Sequence, residues 1–128
     1  MSTAVENLKA ARAWLGEGEH RWHQGWYGTD AVSGCDLDGT EFAETDPSEI
    51  SSCCALGALS RIVGGNPEDG SLGIDVFLYR ALEHEPKKPF TFDAVVQFND
   101  NPNTTYPDIL ALYDRAIELA EQAEGGAS

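Results

Sequence analysis

No segment of this chain limits its architecture more than ISSCCALGALSRIV, residues 50–63. It is apolar, glycine included, at ten of its fourteen positions and carries two adjacent cysteines. Asp46-Pro47-Ser48-Glu49, just before it, reads as a helix start, with an Asp cap, Pro first and Glu third. If one helix runs on from Pro47, turning about 100° per residue, then Ile50, Cys53, Cys54 and Gly57 share one side. Ala55, Leu56, Leu59, Ile62 and Val63 share the other. A helix apolar all round has to be wrapped by other elements. The alternative is a strand followed by a helix beginning near Cys53, and the residues leave both open. In either case Gly64-Gly65 ends the helix.

Other helices are available to do the wrapping. Thr3 and Glu6 form a capping-box pattern, followed by Val5, Leu8, Ala11 and Leu15 at helical spacing and ended by Gly16 and Gly18. Ile74, Phe77, Leu78, Ala81 and Leu82 form a further stripe, ended before Pro86. Residues 90–98 make a shorter apolar piece started by Thr91. Thr105, Pro107 and Asp108 start a last helix with the clearest stripe: Ile109, Leu110, Tyr113, Ala116, Ile117 and Ala120. Between residues 20 and 45 the chain turns rich in aromatics, glycine and turn formers, and Asp38-Gly39 is a hairpin-type turn signal. The expectation is a compact, mainly α domain over residues 1–124, of four or five helices with a small β-hairpin or irregular segment after the first. Residues 125–128 form a disordered tail.

Charge narrows the function. The chain has 22 acidic and 8 basic residues, a formal net charge of −14. Such a surface repels nucleic acid and anionic lipid, so neither direct nucleic-acid binding nor membrane association is expected. No run approaches the ~20 apolar residues of a membrane span, and the first residues lack the basic start and apolar core of a secretion signal. Three cysteines, two of them neighbours, argue against a disulfide framework and for a reducing, cytoplasmic setting. Asp30, Asp36, Asp38, Glu41, Glu44, Asp46 and Glu49 lie within twenty residues that contain no Lys or Arg. They form either a solubilising segment or a surface for a basic partner.

Several motifs fail for want of context. Asp36-Leu37-Asp38-Gly39-Thr40 matches the first motif of haloacid-dehalogenase-type phosphatases, but the residues before it cannot form the buried strand that motif requires. The same aspartates begin like a calcium loop, yet Glu41 stands where its glycine belongs and Pro47 where its bidentate glutamate belongs. His20 and His23 are three apart, but adjacent cysteines do not have zinc-ligand spacing, so no metal or cofactor is expected. A thiol near a helix start can be a nucleophile if a base such as His20, His23 or His84 approaches it. Free cysteine is equally a small buried hydrophobe, and packing is the simpler reading for Cys53 and Cys54. No catalytic residue is assigned.

The segments WHQG (residues 22–25), CALGAL (residues 54–59) and FND (residues 98–100), followed by LYDRAIELA, resemble a family of small uncharacterised proteins of actinobacteria and their phages. The family pattern is Trp-x-Gln-Gly, then Cys-Ala-x-Gly-Ala-Leu, then Trp-Asn-Asp, then a closing helix. Phe98 replaces the usual Trp, and the stretch between Gly25 and Cys54 is longer and more acidic. The resemblance brings no established activity. It does pick out Trp22, Gln24, Cys54, Asn99 and Asp100 as a candidate pocket, or alternatively as a structural cluster tying the hairpin to the helices.

Two functional readings follow. One is a non-enzymatic acidic binding protein, phage-encoded or accessory, that engages a basic surface on a host protein and could block a nucleic-acid site there. The other is a small-ligand-binding protein or cysteine-dependent enzyme with a pocket near Cys54 and Asn99-Asp100. A continuous acidic face without a pocket at Cys54 favours the first.

Overall fold

The structure, a computed structural model, describes residues 3–63, 76–82 and 94–125. Among these are six α-helices and one three-stranded antiparallel sheet, so the chain is mainly helical, with a sheet larger than a hairpin. Helix α1 (Ala4–Leu15) starts where Thr3 Oγ1 accepts the Glu6 N–H at 3.1 Å. It buries Leu8, Ala11, Trp14 and Leu15. The guanidinium groups of Arg21 and Arg61 lie 4.9 and 4.5 Å from the Trp14 ring centre, a cation–π arrangement that ties later segments to α1.

The sheet has β1 (Gly28–Asp30) in the middle, with β2 (Asp36–Leu37) and β3 (Ile50–Cys53) on either side. Gly28 pairs with both Leu37 and Cys53. The β1–β2 hairpin turns at residues 31–35, not at Asp38-Gly39. Gly34 there adopts φ +76°, a left-handed conformation that glycine takes without steric cost, and its N–H donates to Asp30 O at 2.7 Å. Asp38-Gly39 opens the short helix α2 (Gly39–Glu44) instead. Asp38 accepts the Glu41 N–H and Glu41 accepts the Asp38 N–H, a complete capping box. An Asp-Gly pair suits either role, and glutamate at the third helical position selects the cap.

A continuous helix from Pro47 does not form. Asp46 and Pro47 start only a 3-10 turn (Pro47–Glu49), and the chain then extends as β3. The reason is lateral. Besides its ladder bonds to β1, the strand gains Ser51 Oγ to Thr29 O at 3.2 Å and Ser52 Oγ to Thr29 Oγ1 at 3.0 Å. Helix α3 (Ala55–Val63) therefore follows a strand, the second of the two alternatives, and the face shared by Ile50, Cys53 and Gly57 does not exist.

Helix α3 is buried along Ala55, Leu56, Gly57, Ala58, Leu59 and Ser60, as a central helix requires, and packs chiefly on α1 and on α5 (Ala94–Asp100). Helix α6 (Tyr106–Gly125) lies across α1 and α4 (Val76–Leu82). It starts as expected, with the Thr105 N–H donating to Asp108 Oδ2 at 2.9 Å. Ile109, Leu112, Tyr113, Ala116 and Ala120 form its buried stripe. The buried Tyr113 hydroxyl donates to Ala55 O, linking α6 to the start of α3. Gly64, Gly65, Ile74, His84, Pro86, Phe90, Thr91 and the tail from residue 126 lie outside the described residues.

Candidate functional site

Asn99, fully buried at the end of α5, joins three separate stretches of chain. Its Oδ1 accepts the Trp22 indole N–H at 2.6 Å and the Ala55 backbone N–H at 2.9 Å. Its Nδ2 donates to His23 O at 2.8 Å and to Asp100 Oδ1 at 3.0 Å. Turning the amide over would set its N–H groups against two donors, so the network fixes its orientation. Gln24 Nε2 donates to Asn99 O at 2.9 Å and to Asn101 O at 3.1 Å, and the Gly25 N–H donates to Asp100 Oδ1 at 2.8 Å. The 22–25 segment, the start of α3 and the end of α5 thus meet through hydrogen bonds. Trp22 also bridges to Cys53 beside the sheet, and the His23 N–H donates to Cys53 O at 3.0 Å.

The two cysteines act through their structure. Cys53 ends β3 with no exposure, and Cys54 is 2% exposed. Cys54 precedes α3 and caps it. Its Sγ accepts the Gly57 N–H at 3.2 Å and its carbonyl accepts the Ala58 N–H at 2.9 Å. With Ala55 N–H on Asn99, the first donors of α3 are already bonded, so they are not offered to an anion. Burial pushes the Cys54 thiol up to about 12, outweighing the helix-start N–H groups that favour the thiolate. Burial, then the neighbouring Cys54, pushes Cys53 well above the ordinary thiol range. Burial thus disfavours the thiolate, the nucleophilic form, at both positions. Cys35 is exposed near the β1–β2 turn.

A cavity of about 270 Å³ opens beside this hub, lined by Trp26, Tyr27, Asp38, Cys54, Val96 and Asp100. Trp22, Gln24 and Asn99 stand behind it and do not line it. Cys54 and Asp100 do. Trp26, Tyr27 and Asp38 were not singled out from the sequence as lining residues. The adjoining aromatic pair after Gly25 was the signal available, but only folding brings it opposite Asp100.

The acidic residues are dispersed over the sheet and its turns. Asp30 Oδ1 accepts the Val32 N–H, Asp38 and Glu41 cap α2, and Asp46 accepts the Ser48 N–H and hydroxyl. Those Ser48 bonds, the backbone one first, hold the Asp46 carboxyl below its usual range. Asp36 Oδ1 lies 3.1 Å from His23 Nε2, within ion-pair reach but outside hydrogen-bond geometry. Glu44 and Glu49 are exposed. Among the described residues, no ion pair joins any of these seven to Lys or Arg.

Residues 1–119 match the Family of unknown function (DUF6197). The chain belongs to this family. No curated protein and no solved structure matches it. The hub and its cavity lie wholly within the matched residues. No described helix is long and apolar enough to cross a membrane, and no three described His, Cys, Asp or Glu residues are grouped to hold a metal.

Proposed function

We propose that this chain is a small non-enzymatic binding protein whose acidic segment engages a basic surface on another protein. The observation that carries the reading is the uncompensated charge. Asp30, Asp36, Asp38, Glu41, Glu44, Asp46 and Glu49 meet no Lys or Arg partner among the described residues, while Lys9, Arg12 and Arg21 pair with carboxylates elsewhere. An unbalanced field of one sign steers an oppositely charged partner. Resemblance to proteins of actinobacteria and their phages supports a phage or accessory role against a cytoplasmic host protein, by occupying a nucleic-acid-binding site with phosphate-like charge.

The cavity lined by Cys54, and the spread of the acidic residues over the sheet and its turns instead of one continuous face, favour a second reading, a small-ligand site. A cysteine-dependent reaction is the weaker form of it, because the thiol is buried, capping α3 and held protonated. The test uses a partner captured from host extract and purified. Association is then timed at two salt concentrations with the native chain and with an Asp36→Asn, Glu44→Gln, Glu49→Gln variant, which spares the α2 cap. The on-rate should fall with salt and fall again in the variant, because exposed charges are screened beyond ~8–10 Å. Equal on-rates for the two chains at low salt would refute the reading.

A further inference from the structure

We infer that the cavity between Trp26, Tyr27, Asp38 and Asp100 is an anchor site for one arginine side chain of a basic partner. The inference deepens the acidic-surface reading and rests on it. Burial, outweighing the Gly57 N–H bond that favours the thiolate, leaves Cys54 as a neutral wall of the cavity. Val96 adds apolar surface, and the charged groups in the lining are two carboxylates. The cavity therefore selects a cation with an apolar stem.

Asp100 is held for this task. The Gly25 N–H at 2.8 Å and Asn99 Nδ2 at 3.0 Å both bond its Oδ1. Its other oxygen accepts no hydrogen bond among the described residues. The carboxylate is thus oriented by the hub in advance, and a ligand does not have to order it. Asp38 is anchored in the same manner, with Oδ1 on the Glu41 N–H at 2.8 Å. Trp26 is 48% exposed, one of few large apolar side chains so placed among the described residues. A guanidinium stacks on such a ring while its N–H groups point outward to separate carboxylates, which a compact ammonium does less well.

Size argues for a side chain over a whole metabolite. About 270 Å³ falls below the ~300–1,000 Å³ usual for small-molecule pockets. The arginine would arrive already concentrated at the mouth by the surrounding acidic field. The hub supplies one fixed carboxylate, Asp100, and the cap of α2 supplies the second, Asp38, so the site exists only where α2 comes up to the hub.

The test uses the ¹⁵N-labelled full chain at low salt, titrated with acetyl-Gly-Arg-Gly-amide and with the same peptide carrying citrulline, the uncharged isostere. Saturable amide shifts are expected at Gly25, Trp26 and Tyr27, together with the Trp26 indole signal. Binding should weaken at least tenfold for citrulline and for an Asp38→Asn, Asp100→Asn variant. Asparagine keeps the acceptor oxygens that serve the α2 cap and Gly25, and an unchanged spectrum away from the cavity verifies the fold. No saturable shift, shifts centred elsewhere, or equal binding of citrulline would overturn the inference. The two proposals separate on the captured partner. If neutralising Asp36, Glu44 and Glu49 slows association while the Asp38, Asp100 variant binds the partner unchanged, the anchor fails and the acidic-surface reading stands. If the peptide binds in the cavity but neutralising the segment leaves partner association unchanged, the surface reading fails and the cavity stands as an arginine site.

Discussion

Replacing Gly57 by alanine sets local preference against tertiary contact, and the two predict opposite signs. In an ordinary helix interior the change adds about 1 kcal/mol of stability. Here a Cβ on residue 57 would sit 2.1 Å from the Tyr27 carbonyl oxygen and 3.1 Å from its carbon, where contacts under 3.0 Å are essentially never seen. Tyr27 must therefore retreat by roughly 1 Å. The same oxygen accepts the Cys54 N–H at 3.0 Å, so this retreat also strips a buried donor at the head of α3. Overpacking costs about 1–3 kcal/mol, and an unpaired buried N–H about 1–3 more. After subtracting the helix gain, the net loss is about 3 kcal/mol, which for a chain of this size lowers Tm on the order of 10 °C. Urea unfolding followed by far-UV circular dichroism and tryptophan fluorescence measures it, and hydrogen exchange at the Cys54 amide should quicken. A Gly57→Ala protein as stable as the parent would refute the close approach of Tyr27, just before β1, to α3 on which the cavity wall depends.

Asn99→Ala should cost about 3–5 kcal/mol in the same unfolding assay, because it orphans the Ala55 N–H, the Trp22 indole and His23 O together. A loss below 1 kcal/mol would mean that water replaces the amide. Alkaline pH should unfold the chain. The folded-state values of Cys53, Cys54 and Tyr113 are all raised by burial, so their contribution is complete below the unfolded thiol value near 9 and is lost as pH rises. For Cys54, raised to about 12, the loss between pH 9 and 12 is up to about 4 kcal/mol. Circular dichroism against pH checks it, and a Cys54→Ser chain is not expected to behave as a neutral control, since serine changes the cap of α3.

Local chemistry carried much of the fold into view. The start of α1 at Thr3, the stripe of α6 from Ile109 to Ala120 and the burial of Leu59 each depend on neighbours three or four residues away, which periodicity and caps report directly. The charge of the 30–49 segment is likewise a property of composition alone. Long-range pairing was invisible. Ile50 to Cys53 reads equally as helix or strand until β1 is placed beside it, since the ladder partners lie 20 to 25 residues upstream. Asp38-Gly39 carries the same residues whether it turns a hairpin or caps α2, and the cost of each depends on where β2 ends. The same holds for the site. Trp22, Gln24, Cys54, Asn99 and Asp100 were nameable from their motifs, but not that Trp22, Gln24 and Asp100 all bond to a buried Asn99 while Cys54 and Asp100 turn toward Trp26 and Asp38. Hydrogen bonds spanning 75 to 77 residues close that arrangement, and no local pattern encodes a contact whose geometry three separate elements must supply at once.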